Sequence, residues 1–218
     1  LGRYSFMGGD PFLVLSSRGE EILLFHGGVE EIRRGNPFDV AGELLSAYSL
    51  DKHPAGIPFN GGAVGYFSYD LCHFIERLPS TAVDDLLLPE CYLAFYDAVI
   101  AFDHLEGRAY LVSTGFPELS ESKRKKRAEA KLKEMKSEIE NKSSVAEKLD
   151  LLSVEENIVL KSNFSYEQYL RAVAAAREYI CAGDIFQVNL SQRFEADLNI
   201  PPYELYQRLR RINPAPFA

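Results

Sequence analysis

Phe12-Leu13-Val14-Leu15-Ser16-Ser17-Arg18-Gly19-Glu20-Glu21-Ile22-Leu23-Leu24-Phe25 is the stretch whose reading decides the fold. Two runs rich in strand-forming residues, Phe12 to Leu15 and Ile22 to Phe25, flank the turn-forming run Ser16-Ser17-Arg18-Gly19. That order predicts a β-hairpin, and with it antiparallel pairing. Working outward, Ala63-Val64-Gly65-Tyr66-Phe67-Ser68-Tyr69 is dense in β-formers, and residues 91–103 and 108–114 read as two more strands joined at Glu106-Gly107. Strands therefore come in clusters, with no regular strand–helix alternation and no internal repeat. The expected class is α+β with mostly antiparallel sheet.

Helices are announced by their ends. Asn36-Pro37 places a capping side chain before a proline at the first helical position, and Phe38, Ala41, Leu44, Leu45 and Tyr48 follow at helical spacing, which predicts a helix over 37–49. Ser165 with Gln168 three residues on forms a capping box for a helix carrying Tyr169, Leu170, Val173, Ala176 and Ile180 on one side, ended by Gly183. Pro201-Pro202 opens a last helix, whose Tyr203, Tyr206, Leu209 and Ile212 are expected to pack inward before Asn213-Pro214 breaks it. Residues 118–162 differ in composition: a Lys-, Arg- and Glu-rich helix over 118–142 with a thin apolar stripe, then a polar connection over 143–162.

The balance of the chain narrows the possible partners. With 46% hydrophobic and 26% charged residues, the 218-residue chain is long enough for a core and is expected to fold as a single domain over 1–218. A net charge of −8 argues against nucleic acid, which is gripped by Lys and Arg on phosphates, and acidic residues follow the basic run 123–127 at once. No run of about 18 apolar residues offers a membrane span. Cys72, Cys91 and Cys181 are widely spaced and odd in number, so they read as reduced thiols of a cytoplasmic protein. A first residue other than Met and the closing Pro216-Phe217-Ala218 suggest that both ends are cuts within a longer polypeptide.

Common catalytic motifs are missing from the sequence: no HExxH, GxSxG, Walker A or GxGxxG, and four scattered histidines, so no metal site is expected from this chain alone. Gly61-Gly62-Ala63-Val64-Gly65 leads into a strand and not a helix, so its glycines are read as permitting close approach of a neighbour. Residues 185–194 alternate. Phe186, Val188, Leu190 and Phe194 take one face, and Gln187, Asn189, Ser191 and Arg193 the other, a row of donors suited either to a polar anionic ligand or to solvent.

Four motifs in order resemble the large component of anthranilate and aminodeoxychorismate synthases. They are Gly2-Arg3-Tyr4-Ser5-Phe6 with Asp10-Pro11; Gly61-Gly62-Ala63-Val64-Gly65-Tyr66 with Tyr69-Asp70 and Glu76-Arg77-Leu78-Pro79; Gly183-Asp184-Ile185-Phe186-Gln187-Val188-Asn189-Leu190-Ser191-Gln192-Arg193-Phe194; and Asn213-Pro214-Ala215-Pro216-Phe217-Ala218. The resemblance implies antiparallel β-sheets packed in a sandwich with flanking helices, here incomplete. It implies a Mg2+-dependent reaction in which ammonia from a glutamine amidotransferase subunit replaces a hydroxyl of chorismate. The Mg2+ ligands and carboxylate-gripping groups belong to the family's carboxy-terminal half, so this amino-terminal part alone is expected to be inactive.

The same resemblance implies a catalytic role for Gln187, at the strand position where related isochorismate and salicylate synthases hold a water-activating Lys. It also implies a tryptophan pocket using Tyr4, Pro216 and Phe217. Pro216-Phe217-Ala218 replaces the Pro-Tyr-Met usual in anthranilate synthases, which favours the aminodeoxychorismate branch on the route to p-aminobenzoate and folate. Anthranilate synthase, or a module that holds tryptophan or docks the amidotransferase without chemistry, are the alternatives.

Overall fold

The computed structural model describes residues 2–50, 56–81, 83–141 and 159–214. Contacts divide the chain into two compact units, Leu1–Val145 and Ala146–Ala218. The boundary falls in the polar connection read from composition.

The first unit holds β1 (Tyr4–Met7), β2 (Leu13–Arg18), β3 (Glu21–His26), β4 (Val29–Arg34), α1 (Pro37–Ala47), β5 (Gly62–Phe67), a short 3-10 turn (Tyr69–Phe74), β6 (Cys91–Tyr96), β7 (Ala98–Asp103), β8 (Arg108–Ser113) and α2 (Glu121–Asn141). Every ladder is antiparallel. The five-stranded sheet runs β4-β3-β2-β6-β5 and the three-stranded sheet β1-β7-β8. The hairpin is β2–β3, with Arg18 opposite Glu21 and only Gly19-Glu20 between them. Ser16, Ser17 and Arg18 thus belong to the strand and not to the turn. The positive φ of Gly19, 54°, suits so tight a connection.

Alternation then builds the core. Leu13 and Leu15 of β2, Ile22 and Leu24 of β3, and Leu93 and Phe95 of β6 are buried together under Val40, Ala41 and Leu44 of α1. Asn36 caps α1, its side chain accepting the Phe38 N–H at 3.0 Å. Each buried Leu, Ile, Val or Phe side chain among them contributes roughly 1.5–3 kcal/mol by leaving water.

Residues 91–103, expected as one strand, are two. β6 lies in the five-stranded sheet and β7 in the three-stranded one, and the chain crosses between them at Asp97. Ala94 and Phe95 are both buried, as are Ala98 and Val99. Alternation fails where the chain passes from one sheet to the other, so the period could not mark the break.

The charged helix is observed as α2, none of whose residues is fully buried. Its basic run is nonetheless partly engaged. Arg127 Nε donates to the Phe116 carbonyl at 2.9 Å and stands 3.5 Å from the Asp97 carboxylate, and the Arg124 guanidinium lies 5.3 Å from the centre of the Phe116 ring.

The second unit holds β9 (Lys161–Ser162), α3 (Tyr166–Ala182), β10 (Phe194–Glu195) and α4 (Pro202–Ile212). The capping box at Ser165 is formed: its Oγ accepts the Gln168 N–H at 3.2 Å, and the Gln168 side chain accepts the Ser165 N–H at 2.8 Å. Gly183 ends α3 with φ 81°. Two expectations are corrected. The strand over 185–194 is reduced to Phe194–Glu195, because a strand needs a neighbour to bond with and, among the described residues, β9 alone supplies one. The residues of α4 expected to face inward are exposed in this chain, Tyr203 by 70% and Ile212 by 77%. No helix among the described residues is long and apolar enough to cross a membrane.

Candidate active site

Gln187 sits on the return path from α3. That path leaves the helix through a left-handed turn, in which the Asp184 N–H donates to the Tyr179 carbonyl at 3.0 Å and the Ile185 N–H reaches the same carbonyl at 3.5 Å. It ends at β10, where Phe194 pairs with Ser162 and Glu195 with Lys161. The segment bearing Gln187 bends at Asp184 and Phe186 and runs to β10 without a ladder along most of its length.

Its side chains do not divide cleanly into two faces. Gln187, Asn189, Ser191 and Arg193 are exposed, but so is the supposed apolar face, with Phe186 at 93%. Gln192 is half-buried instead, its amide donating to Ser162 Oγ at 2.7 Å. Arg193 pairs with Glu195 at 2.9 Å, and its backbone N–H donates to Asn163 Oδ1 at 2.8 Å. Ser162 and Asn163 escaped sequence reading because their partners lie thirty residues away in the chain.

Tyr4 belongs to the first unit. β1 pairs with β7, Tyr4 opposite Asp103, and the Tyr4 hydroxyl donates to the Gly56 carbonyl at 2.7 Å. The Arg3 guanidinium covers its ring at 4.9 Å, and Phe6 stacks beside it. Burial raises the Tyr4 phenol above its ordinary pKa, against the opposing pull of Arg3. Pro216 and Phe217 lie outside the described residues. A cleft of about 230 Å3 runs between the end of β1 and α2, lined by Met7, Ile100, Met135 and Ile139, and does not include Tyr4.

The glycine motif behaves as read. A Cβ on Gly65 would lie 1.8 Å from the Tyr92 carbonyl oxygen, and one on Gly61 2.7 Å from that of Tyr96. These glycines let β5 lie against β6.

With the two units and the Gln187 path in view, the relationships of the chain are direct. It belongs to the chorismate binding enzyme family, whose model matches residues 10–218. It is 35% identical to anthranilate synthase component 1 of Acetivibrio thermocellus, over 99% of this chain and 44% of that protein. Against aminodeoxychorismate synthase component 1 of Bacillus subtilis the identity is 28%, over 99% of this chain and 45% of that protein. The crystal structure of anthranilate synthase component I from Streptococcus pneumoniae shares the fold with a TM-score of 0.77 at 24% identity, over 99% of this chain and 47% of that one. The chain thus spans a little under half the length of the relatives it matches.

Proposed function

We propose that this chain is the amino-terminal part of an enzyme that transfers ammonia to chorismate, forming 4-amino-4-deoxychorismate, with Gln187 beside the incoming nucleophile. The observation that supports this most is Gln187 itself, set in the family's Gly183-to-Phe194 motif. A neutral amide cannot take a proton from water, so hydroxide is not generated next to the ring. Ammonia is nucleophilic without deprotonation, and the amide oxygen can accept one of its hydrogens and hold its lone pair toward the carbon attacked. A glutamine amidotransferase subunit would supply the ammonia, and Tyr4, Pro216 and Phe217 would line a pocket for tryptophan.

Mg2+, which the resemblance implies, finds no fit among the described residues. They nowhere bring together three His, Cys, Asp or Glu side chains able to hold a cation.

Asn213-Pro214-Ala215-Pro216-Phe217-Ala218 favours the aminodeoxychorismate product. The higher identity to an anthranilate synthase, 35% against 28%, favours a second reading in which the product is anthranilate. The two differ in the ring position that is aminated and in whether the enolpyruvyl group is then lost as pyruvate. Incubating the intact polypeptide that carries this chain with chorismate, ammonium and Mg2+ should give a product that keeps the enolpyruvyl ether; release of pyruvate without a separate lyase would establish the anthranilate reading instead.

A further inference from the structure

The five-stranded sheet ends differently at its two edges. β4, at one edge, reads Val29-Glu30-Glu31-Ile32-Arg33-Arg34, four charges in six residues, with Arg33 paired to Glu31 at 2.7 Å. Charges of this density on an outer strand keep further strands from pairing with it. β5, at the other edge, reads Gly62-Ala63-Val64-Gly65-Tyr66-Phe67 and carries none. Among the described residues nothing pairs with its outer side.

β5 is also bare on both faces, although its partner β6 is a core strand. Val64 and Tyr66 stand on the face opposite Leu93 and Phe95, 52% and 42% exposed, with Tyr66 stacked on Tyr92 at 6.2 Å. Phe67, on the other face, stacks on Phe38 of α1 at 5.7 Å and is still 52% exposed. The Ser68 N–H donates to the Glu90 carbonyl, on the β6 side, at 2.7 Å. Inward and outward groups alternate along an antiparallel strand, so Ala63, Gly65 and Phe67 turn their N–H and C=O groups to the free edge. An unpaired row of backbone groups flanked by apolar side chains on either face is the template that a further strand requires.

Length points to what fills it. The chain covers 44%, 45% and 47% of the relatives described above, so more than half of each lies outside the part it matches. A strand tethered to the same polypeptide meets the edge at a high effective concentration, which a separate molecule lacks. We propose that β5 takes up a further strand from the part of the same polypeptide that follows residue 218, extending the five-stranded sheet and covering Val64 and Tyr66. The inference rests on the reading above that this chain is the amino-terminal part of a longer enzyme.

Two measurements on the intact polypeptide test it. With Tyr66 replaced by a benzophenone-bearing phenylalanine, irradiation and mass spectrometry should map cross-links to residues that follow 218 in the same molecule. Cross-links confined to residues 1–218, or made to a second copy in a dimer, would overturn the proposal. Hydrogen exchange at Ala63, Gly65 and Phe67 should be at least about 100-fold slower than in an unstructured chain, at every protein concentration. Val64→Lys should speed exchange at those three amides at least about 10-fold, while the amides of residues 64 and 66, bonded to β6, keep their protection. Unprotected outward amides in the unaltered protein would overturn the further strand, whether or not the variant folds. A polypeptide that fails to aminate chorismate but gives the cross-link loses the proposed reaction and keeps the strand; one that aminates with β5 unprotected does the reverse.

Discussion

The Arg3 guanidinium grips the Asp103 carboxylate through two nitrogens, Nε at 3.1 Å and Nη2 at 2.7 Å. Asp103 also accepts the Leu105 and Glu106 N–H groups at 3.0 and 3.2 Å, so one buried carboxylate ties the start of β1 to the turn after β7. The hydrogen-bonded Arg3 first, helped by those N–H groups, holds the carboxyl well below the usual carboxylate range. A carboxylate with a lowered folded pKa stabilises the fold above its unfolded value of about 3.9, and that stability is lost as pH falls below it. Asp103→Asn should therefore lower Tm at pH 7 and flatten its decline in acid. A variant as stable at pH 7 as the parent would contradict the role given to this pair.

Asp97 works in the opposite sense. Burial raises its pKa more than Arg127 and Lys131 lower it. Between about 3.9 and that raised value the folded chain binds more protons than the unfolded one, so stability falls as pH rises through the window. Arg127 is 43% exposed and can be solvated without its partner. Asp97→Asn is expected to leave Tm at pH 7 equal or higher and to remove this falling slope. A large loss of Tm at pH 7 would show that the ion pair outweighs the burial.

Gly65 faces Leu93 across the β5–β6 ladder, and its missing Cβ is what allows the Tyr92 carbonyl so near. Gly65→Ala cannot be absorbed by a side-chain rotation, since the obstacle is backbone. A loss of about 1–3 kcal/mol is expected from overpacking, measured by urea unfolding. A loss within about 0.5 kcal/mol would mean that β5 can move away freely.

The thiols divide by environment. Burial pushes Cys91 up to about 11, whereas Cys181 on α3 is exposed. Thiolate is the reactive form, so a maleimide at pH 7 should label Cys181 readily and Cys91 only after denaturation. Rapid labelling of Cys91 in the folded protein would contradict the packing of β6.

What the sequence disclosed was local. The hairpin around Gly19, the Asn36 cap, the Ser165–Gln168 box and the left-handed Gly183 each depend on residues within four positions of one another, and each is present in the structure. The split at Asp97 and the shrinking of the 185–194 strand depend on which neighbour a segment meets, which periodicity does not encode. Gln187 came from motif resemblance, since alternation alone left it equal to Asn189 and Ser191. Asn163 carried no signal at all, because its side chain serves a backbone group on a distant segment.

The most direct measurement is the ammonium-dependent amination of chorismate by the intact polypeptide and by its Gln187→Ala variant, with circular dichroism to confirm that the fold is kept. Loss of a positioned contact to the nucleophile should lower kcat on the order of 10- to 100-fold. Amination at the parent's rate in the variant would contradict the placement of Gln187 in the site.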